Sequence, residues 1–154
     1  MKKRIVALML LFALTMTGVA VGNVEAYALD SAQDVELSQV WTEDALIGYA
    51  QAQTRGVYLA RGMSFINDAG GGKIGCGGIT EAARQCKVSV TSIVERKVNG
   101  SWVQVTSWTS TKTSAYQVSI SKTLSVGRGY YYRVRSVHYA STDASSSYTE
   151  GMWM

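Results

Sequence analysis

One histidine, two cysteines and eleven carboxylates are the groups in this chain that could carry acid–base, nucleophilic or metal chemistry. A zinc site needs further ligands than two cysteines and His138, the sole histidine, and with Cys76 and Cys86 expected to be bridged, Cys–His catalysis lacks its thiolate. His138 falls on the same strand face as Tyr130, Tyr132 and Val134, so a hydrogen-bonded, half-buried histidine is expected rather than a general base. A hydrolase of the paired-carboxylate kind needs two acids converging in a cleft. After Glu81 the acids are Glu95, Asp143 and Glu150, and no spacing pairs them. Cys76 and Cys86 form an even pair, and a structural disulfide between them is expected. Closing so short a loop would stabilise the fold by about 3 kcal/mol at most. Ser119-x-x-Lys122 imitates an acyl-transfer motif, but on a strand its two side chains point to opposite faces. Gly70-x-Gly72-x-x-Gly75 imitates a dinucleotide-binding pattern without a helix after it, and Gly72-Lys73 is followed by Ile74, not Ser or Thr. A tight loop between two strands is the simpler reading of those glycines. No enzyme, cofactor or metal site is expected.

One constellation suggests binding. Tyr131, Arg133, Arg135 and Tyr139 alternate onto the outward face of one strand, and Trp102 and Trp108 come from the strand returning from a hairpin. In a shared sheet these residues would form a platform on which sugar rings stack and guanidiniums grip phosphate or carboxylate. Ordinary cross-strand pairing of aromatic and Arg side chains is the competing reading.

The elements that must position them are strands. In Leu124–Val134 a turn with Gly127 and Gly129 leads into Tyr130. Strict alternation follows, with Tyr130, Tyr132, Val134 and Ser136 inward and Tyr131, Arg133, Arg135 and Val137 outward. A tyrosine at such a corner buries its ring and sends its hydroxyl back to the upstream backbone. Upstream, Val57 to Ile66 reads as a strand ending in an Asn67-Asp68 turn, and Lys73-Ile74 as a short strand. Ile79–Gln85 is either strand or bent connector. Lys87–Val98 is a long strand with Val88, Val90 and Val94 on one face. Asn99-Gly100 is a strong hairpin signal, with Trp102–Trp108 returning from it. Tyr116, Val118, Ile120 and Leu124 share one face of a further strand. A Ser/Thr/Asp loop, Ser141–Ser147, precedes an edge strand within Tyr148–Trp153. About seven strands without a long amphipathic helix predict an all-β, antiparallel β-sandwich over residues 55–154.

Residues 1–26 read as a cleaved secretory signal peptide: Lys2, Lys3 and Arg4, an apolar run from Ile5 to Val21, then small residues around Ala26, with Ala28 as a second cleavage position. Residues 27–54 are an arm, a short pro-segment, or a short helix capped by Thr42 through Asp44–Tyr49. The expected product is secreted, without a membrane span after cleavage, and held at the cell surface, if at all, by non-covalent contacts. After residue 26 there are twelve basic and ten acidic residues, a balance of +2, with the acids concentrated before Arg84 and the bases after it. The basic part could face an anionic cell-wall polymer or another extracellular protein; export and the small net charge argue against nucleic acid.

Leu124–Val134 resembles the corner before the sixth strand of fibronectin type III domains, and Val88–Trp102, with its Asn99-Gly100 turn, resembles their middle hairpin. Val126 stands where that family usually has Pro, and the chain has none. The whole chain, through Gly48–Gly56 and Gly129–Ala140, also resembles small secreted proteins of Gram-positive bacteria without assigned function. These resemblances imply export and an immunoglobulin-like β fold, and bring no catalytic residues. The expected role is a secreted, non-enzymatic binding protein. The alternative is a secreted antagonist, bacteriocin-like or enzyme-inhibiting, presenting a disulfide-held loop from Ala69 to Cys86.

Overall fold

The computed structural model describes residues 44–50 and 56–154, and the proposed signal peptide lies outside them. Every regular element is a β-strand: β1 (Leu46–Tyr49), β2 (Leu59–Gly70), β3 (Lys73–Val98), β4 (Ser101–Ser125), β5 (Tyr131–Ala140), β6 (Asp143–Tyr148) and β7 (Met152–Trp153). All pairings are antiparallel. The all-β antiparallel architecture is as expected, but the chain is cut into strands differently. Leu46–Tyr49, where a capped helix competed with an extended arm, pairs with Met63–Ile66 as an edge strand. The sheet therefore starts before residue 55.

Glycine fixes where the first hairpin turns. Gly70, Gly71 and Gly72 take φ of 75°, 62° and 74°, three successive left-handed positions that side chains resist. Asn67 and Asp68, expected as the turn, stay in β2 opposite Gly75 and Ile74. Asp68 Oδ1 then accepts the Gly70 N–H at 2.7 Å, which steers the chain into the glycines. At the next hairpin Asn99 (φ 50°) and Gly100 (φ 84°) make the turn where it was expected.

The hairpin they close is unusually long. β3 has 26 residues and β4 has 25, against a usual upper range of about 10. The register shifts between Glu81 and Val88, opposite Gln117 to Lys112, and there β3 changes its second neighbour. Lys73–Ala82 has β2 beside it; Val88–Arg96 has β5. The hairpin thus bends and contributes to two layers. One layer is β1, β2, the first part of β3 and the last part of β4. The other is the first part of β4, the last part of β3, β5 and β6, with β7 extending the β6 edge along Tyr131 and Tyr132. The Ser141–Ser147 stretch, expected as a loop, is a turn followed by β6. At the far side the path curls until β1 abuts β6: a side-chain carbon on Gly48 would collide with the Tyr148 carbonyl.

Two apolar clusters fill the interior. Ile66, Ile74, Cys76, Val94, Tyr132 and Val134 form one, and Ala82, Val88, Val90, Val118, Ile120 and Ala140 the other. The β5 alternation is as read: Tyr132, Val134, Ser136, His138 and Ala140 are buried. Tyr132, however, is the corner tyrosine. Its ring is buried and its hydroxyl donates to the Gly127 carbonyl at 2.9 Å, whereas Tyr130 is partly exposed under the Arg96 guanidinium, 4.4 Å from the ring centre. Tyr116, expected inward with Val118 and Ile120, is exposed, because it adjoins the register shift at Ala115.

The disulfide expectation fails. Cys76 and Cys86 are free thiols. Both lie on β3, ten residues apart on a strand that advances about 3.3 Å per residue, far beyond the roughly 7 Å Cα separation a bridge tolerates. Cys76 faces the core, where burial pushes its thiol up to about 12 and its Sγ lies 3.5 Å from the Lys122 carbonyl oxygen.

Candidate functional site

Strand order brings most of the predicted platform together. β4, β3 and β5 are consecutive in the second layer, so Trp102 faces Lys97 on β3, and Glu95, two residues back, faces Arg133 on β5. All four side chains stand on the outer surface. The Arg133 guanidinium lies 4.4 Å from the centre of the Trp102 ring and 5.6 Å from that of Tyr148. Lys97 Nζ also lies over the Trp102 ring, 5.7 Å from its centre. Arg133 Nε donates to Glu95 Oε2 at 2.6 Å, and Arg135 Nε donates to Glu95 Oε1 at 3.2 Å. One nearly buried carboxylate therefore clamps two arginines, and the clamp holds Arg133 between aromatic faces.

Further rings extend the surface. Tyr131 and Trp153 meet edge to face with centroids 4.9 Å apart. Gly151 leaves room for Trp102 and Tyr131: a side-chain carbon there would lie 3.1 Å from Trp102 and 3.5 Å from Tyr131. Tyr148 and Trp153 remain 63% and 60% exposed, so their faces are open to a ligand.

Two predicted members are elsewhere. Trp108 is half-buried and packs on both core clusters. A bulge between Val94 and Glu95 sets one extra residue of β4, Val105, against β3, which reverses the faces beyond it. Trp102 and Trp108 thus lie on opposite sides despite their even spacing. Tyr139 is on the outer face but six residues from Arg133, about 20 Å along the strand. The sequence reading missed Glu95, Tyr148 and Trp153. Glu95 meets the outward arginine row only through the β3–β5 pairing, which aligns it with Arg133 and which no local turn sets.

Behind this surface, His138 is fully buried among hydroxyls. Its Nδ1 lies 2.8 Å from Thr80 Oγ1 and its Nε2 2.8 Å from Ser147 Oγ. Thr80 gives its hydroxyl hydrogen to the Ser89 carbonyl at 3.0 Å, so it accepts from Nδ1–H, and Ser147 donates to Nε2. Ser64 Oγ completes the chain, 2.7 Å from Ser147 Oγ. Burial drops the His138 pKa to about 4. The Ser147–His138 pair resembles a nucleophile and base in outline, but neither atom reaches the surface. Asp143 ties the start of β2 to β6: its Oδ2 accepts from the N–H groups of Leu59 (3.0 Å) and Tyr58 (2.6 Å), which hold its carboxyl below the usual range. Among the described residues, no group of three His, Cys, Asp or Glu is placed to hold a metal ion, and no helix is long and apolar enough to cross a membrane.

No family model and no curated protein matches the chain. Among solved structures it is similar to the solution structure of R. palustris CsgH, at 14% identity and a TM-score of 0.39, over 55% of this chain and 87% of that one.

Proposed function

We propose that this is a secreted, non-enzymatic binding protein whose aromatic outer surface engages a cell-wall polymer by ring stacking. The observation that carries the reading is the Trp102–Arg133–Glu95 stack: Arg133 is held at 4.4 Å from the indole and 2.6 Å from the carboxylate, while Tyr148 and Trp153 beside it stay exposed. Rigid, exposed rings suit flat sugar faces. Because Glu95 already occupies both arginine Nε groups, stacking is a better-supported mode than capture of anions by free guanidinium forks. Export rests on the basic, apolar and small-residue pattern of residues 1–26.

A fibronectin type III-like assignment belongs to the same reading. Its support is the division of β3 and β4 between two layers and the Tyr132 hydroxyl bonded five residues upstream to Gly127. For the alternative of a secreted antagonist, Ala69–Cys86 would act as a turn and a paired strand with free cysteines, not as a crosslinked loop.

The test is co-sedimentation of purified protein with washed cell envelopes of a Gram-positive bacterium, comparing wild type with Tyr148→Ala/Trp153→Ala. Both side chains are largely exposed, so the fold should survive, which circular dichroism checks. Loss of at least tenfold in envelope binding is expected. Unchanged binding by the folded double variant would refute the stacking surface.

A further inference from the structure

β4 pairs with β3 along one side and, among the described residues, with no other strand, so a 25-residue edge is left open. Such edges offer unpaired backbone donors and acceptors to any extended chain, and proteins usually guard them with prolines, charges or shortness. This edge is guarded weakly. The chain contains no proline, and between Ser101 and Thr111 β4 carries no charged residue. Val103 and Val105 are about half exposed on it.

We infer that the occupant of this edge is a second copy of the same chain, joined β4 to β4 in antiparallel fashion about a twofold axis at Thr109. Register and charge select this arrangement. Between the bulge at Val94/Glu95 and the shift at Cys86/Val88, β4 is regular from Thr106 to Lys112, and Thr109 is its midpoint. A twofold at Thr109 pairs Thr106 with Lys112, Ser107 with Thr111 and Trp108 with Ser110. Every pair then joins side chains of the same face, as antiparallel pairing demands. The two Lys112 stand six residues apart, about 20 Å, so the neutral strip lets two net-basic chains meet without opposing like charges. The second layers of the two copies would fuse into one eight-stranded sheet, counting β4, β3, β5 and β6 from each. Their outer surfaces would lie side by side. Seven paired residues make a small interface, so the association is concentration-dependent.

Charge-pairing variants measured by sedimentation velocity across a concentration series test this. Ser107 and Thr111 are both exposed on the outer face. Ser107→Lys/Thr111→Lys sets Lys against Lys twice across the axis, whereas Ser107→Lys/Thr111→Glu sets Lys against Glu twice. Wild type and the Lys/Glu variant should dimerise, and the Lys/Lys variant should be monomeric, its dissociation constant raised at least tenfold. A monomeric wild type at every concentration, a Lys/Lys variant that dimerises like wild type, or a monomeric Lys/Glu variant would each overturn the proposal. The readout is independent of envelope binding, so either idea can fail alone.

Discussion

Acid should weaken this fold well above the pH at which its carboxylates titrate, and His138 is the reason. In the unfolded chain its imidazole has an ordinary pKa of 6.5; in the fold burial brings that to about 4. The neutral ring is fully used, donating from Nδ1 to Thr80 and accepting at Nε2 from Ser147. A second proton would face the Ser147 hydroxyl hydrogen and carry charge into a dry interior. With the folded pKa below the unfolded one, the stabilisation is complete above pH 6.5. It is lost progressively as pH falls, and nothing further is lost below pH 4. The gap corresponds to about 3 kcal/mol in total, of which about 2 kcal/mol should be gone at pH 5. Urea unfolding followed by tryptophan fluorescence at pH 7.5, 6, 5 and 4.5 measures it, with His138→Gln as the control. The variant should be less stable at pH 7.5 but nearly flat across this window. Equal stability of the wild type at pH 7.5 and 5, or an equal slope in His138→Gln, would refute the reasoning.

Other outcomes follow from single contacts. Tyr132→Phe should cost about 1 kcal/mol in the same assay, because the Gly127 carbonyl loses its partner while the ring stays buried; no loss would mean that the corner bond contributes nothing. Under native conditions a thiol reagent should label Cys86, which is partly exposed, and reach Cys76 only on unfolding, with reductant leaving the melting temperature unchanged. An intact mass two hydrogens short would show a bridge instead.

What could be read from the residues alone followed from local rules. The β5 alternation and the Asn99-Gly100 turn depend on pleat and backbone preference, and both stand in the structure. Readings that needed long-range geometry went astray. Gly75, Gly77 and Gly78 look like loop punctuation, yet they lie inside β3. There a side chain at Gly77 would strike the Ile120 carbonyl, and one at Gly75 would strike Asn67. These glycines allow close strand approach, not turning. Even spacing put Trp102 and Trp108 on one face until a single bulged residue separated them. Glu95 looked like a stray acid because its two arginine partners are 38 and 40 residues away. The disulfide was inferred from count and compartment, neither of which says whether two cysteines share one extended strand.

The bent β3–β4 hairpin has a consequence for how the protein comes apart. Because each of its strands belongs to both layers, neither layer can peel away while the other stays intact. A pull on one is transmitted through covalent backbone to the other. Loss of order on one side should therefore propagate across the bend, and residues 56–154 should melt in a single step, with probes at Trp108 and Trp153 reporting the same midpoint.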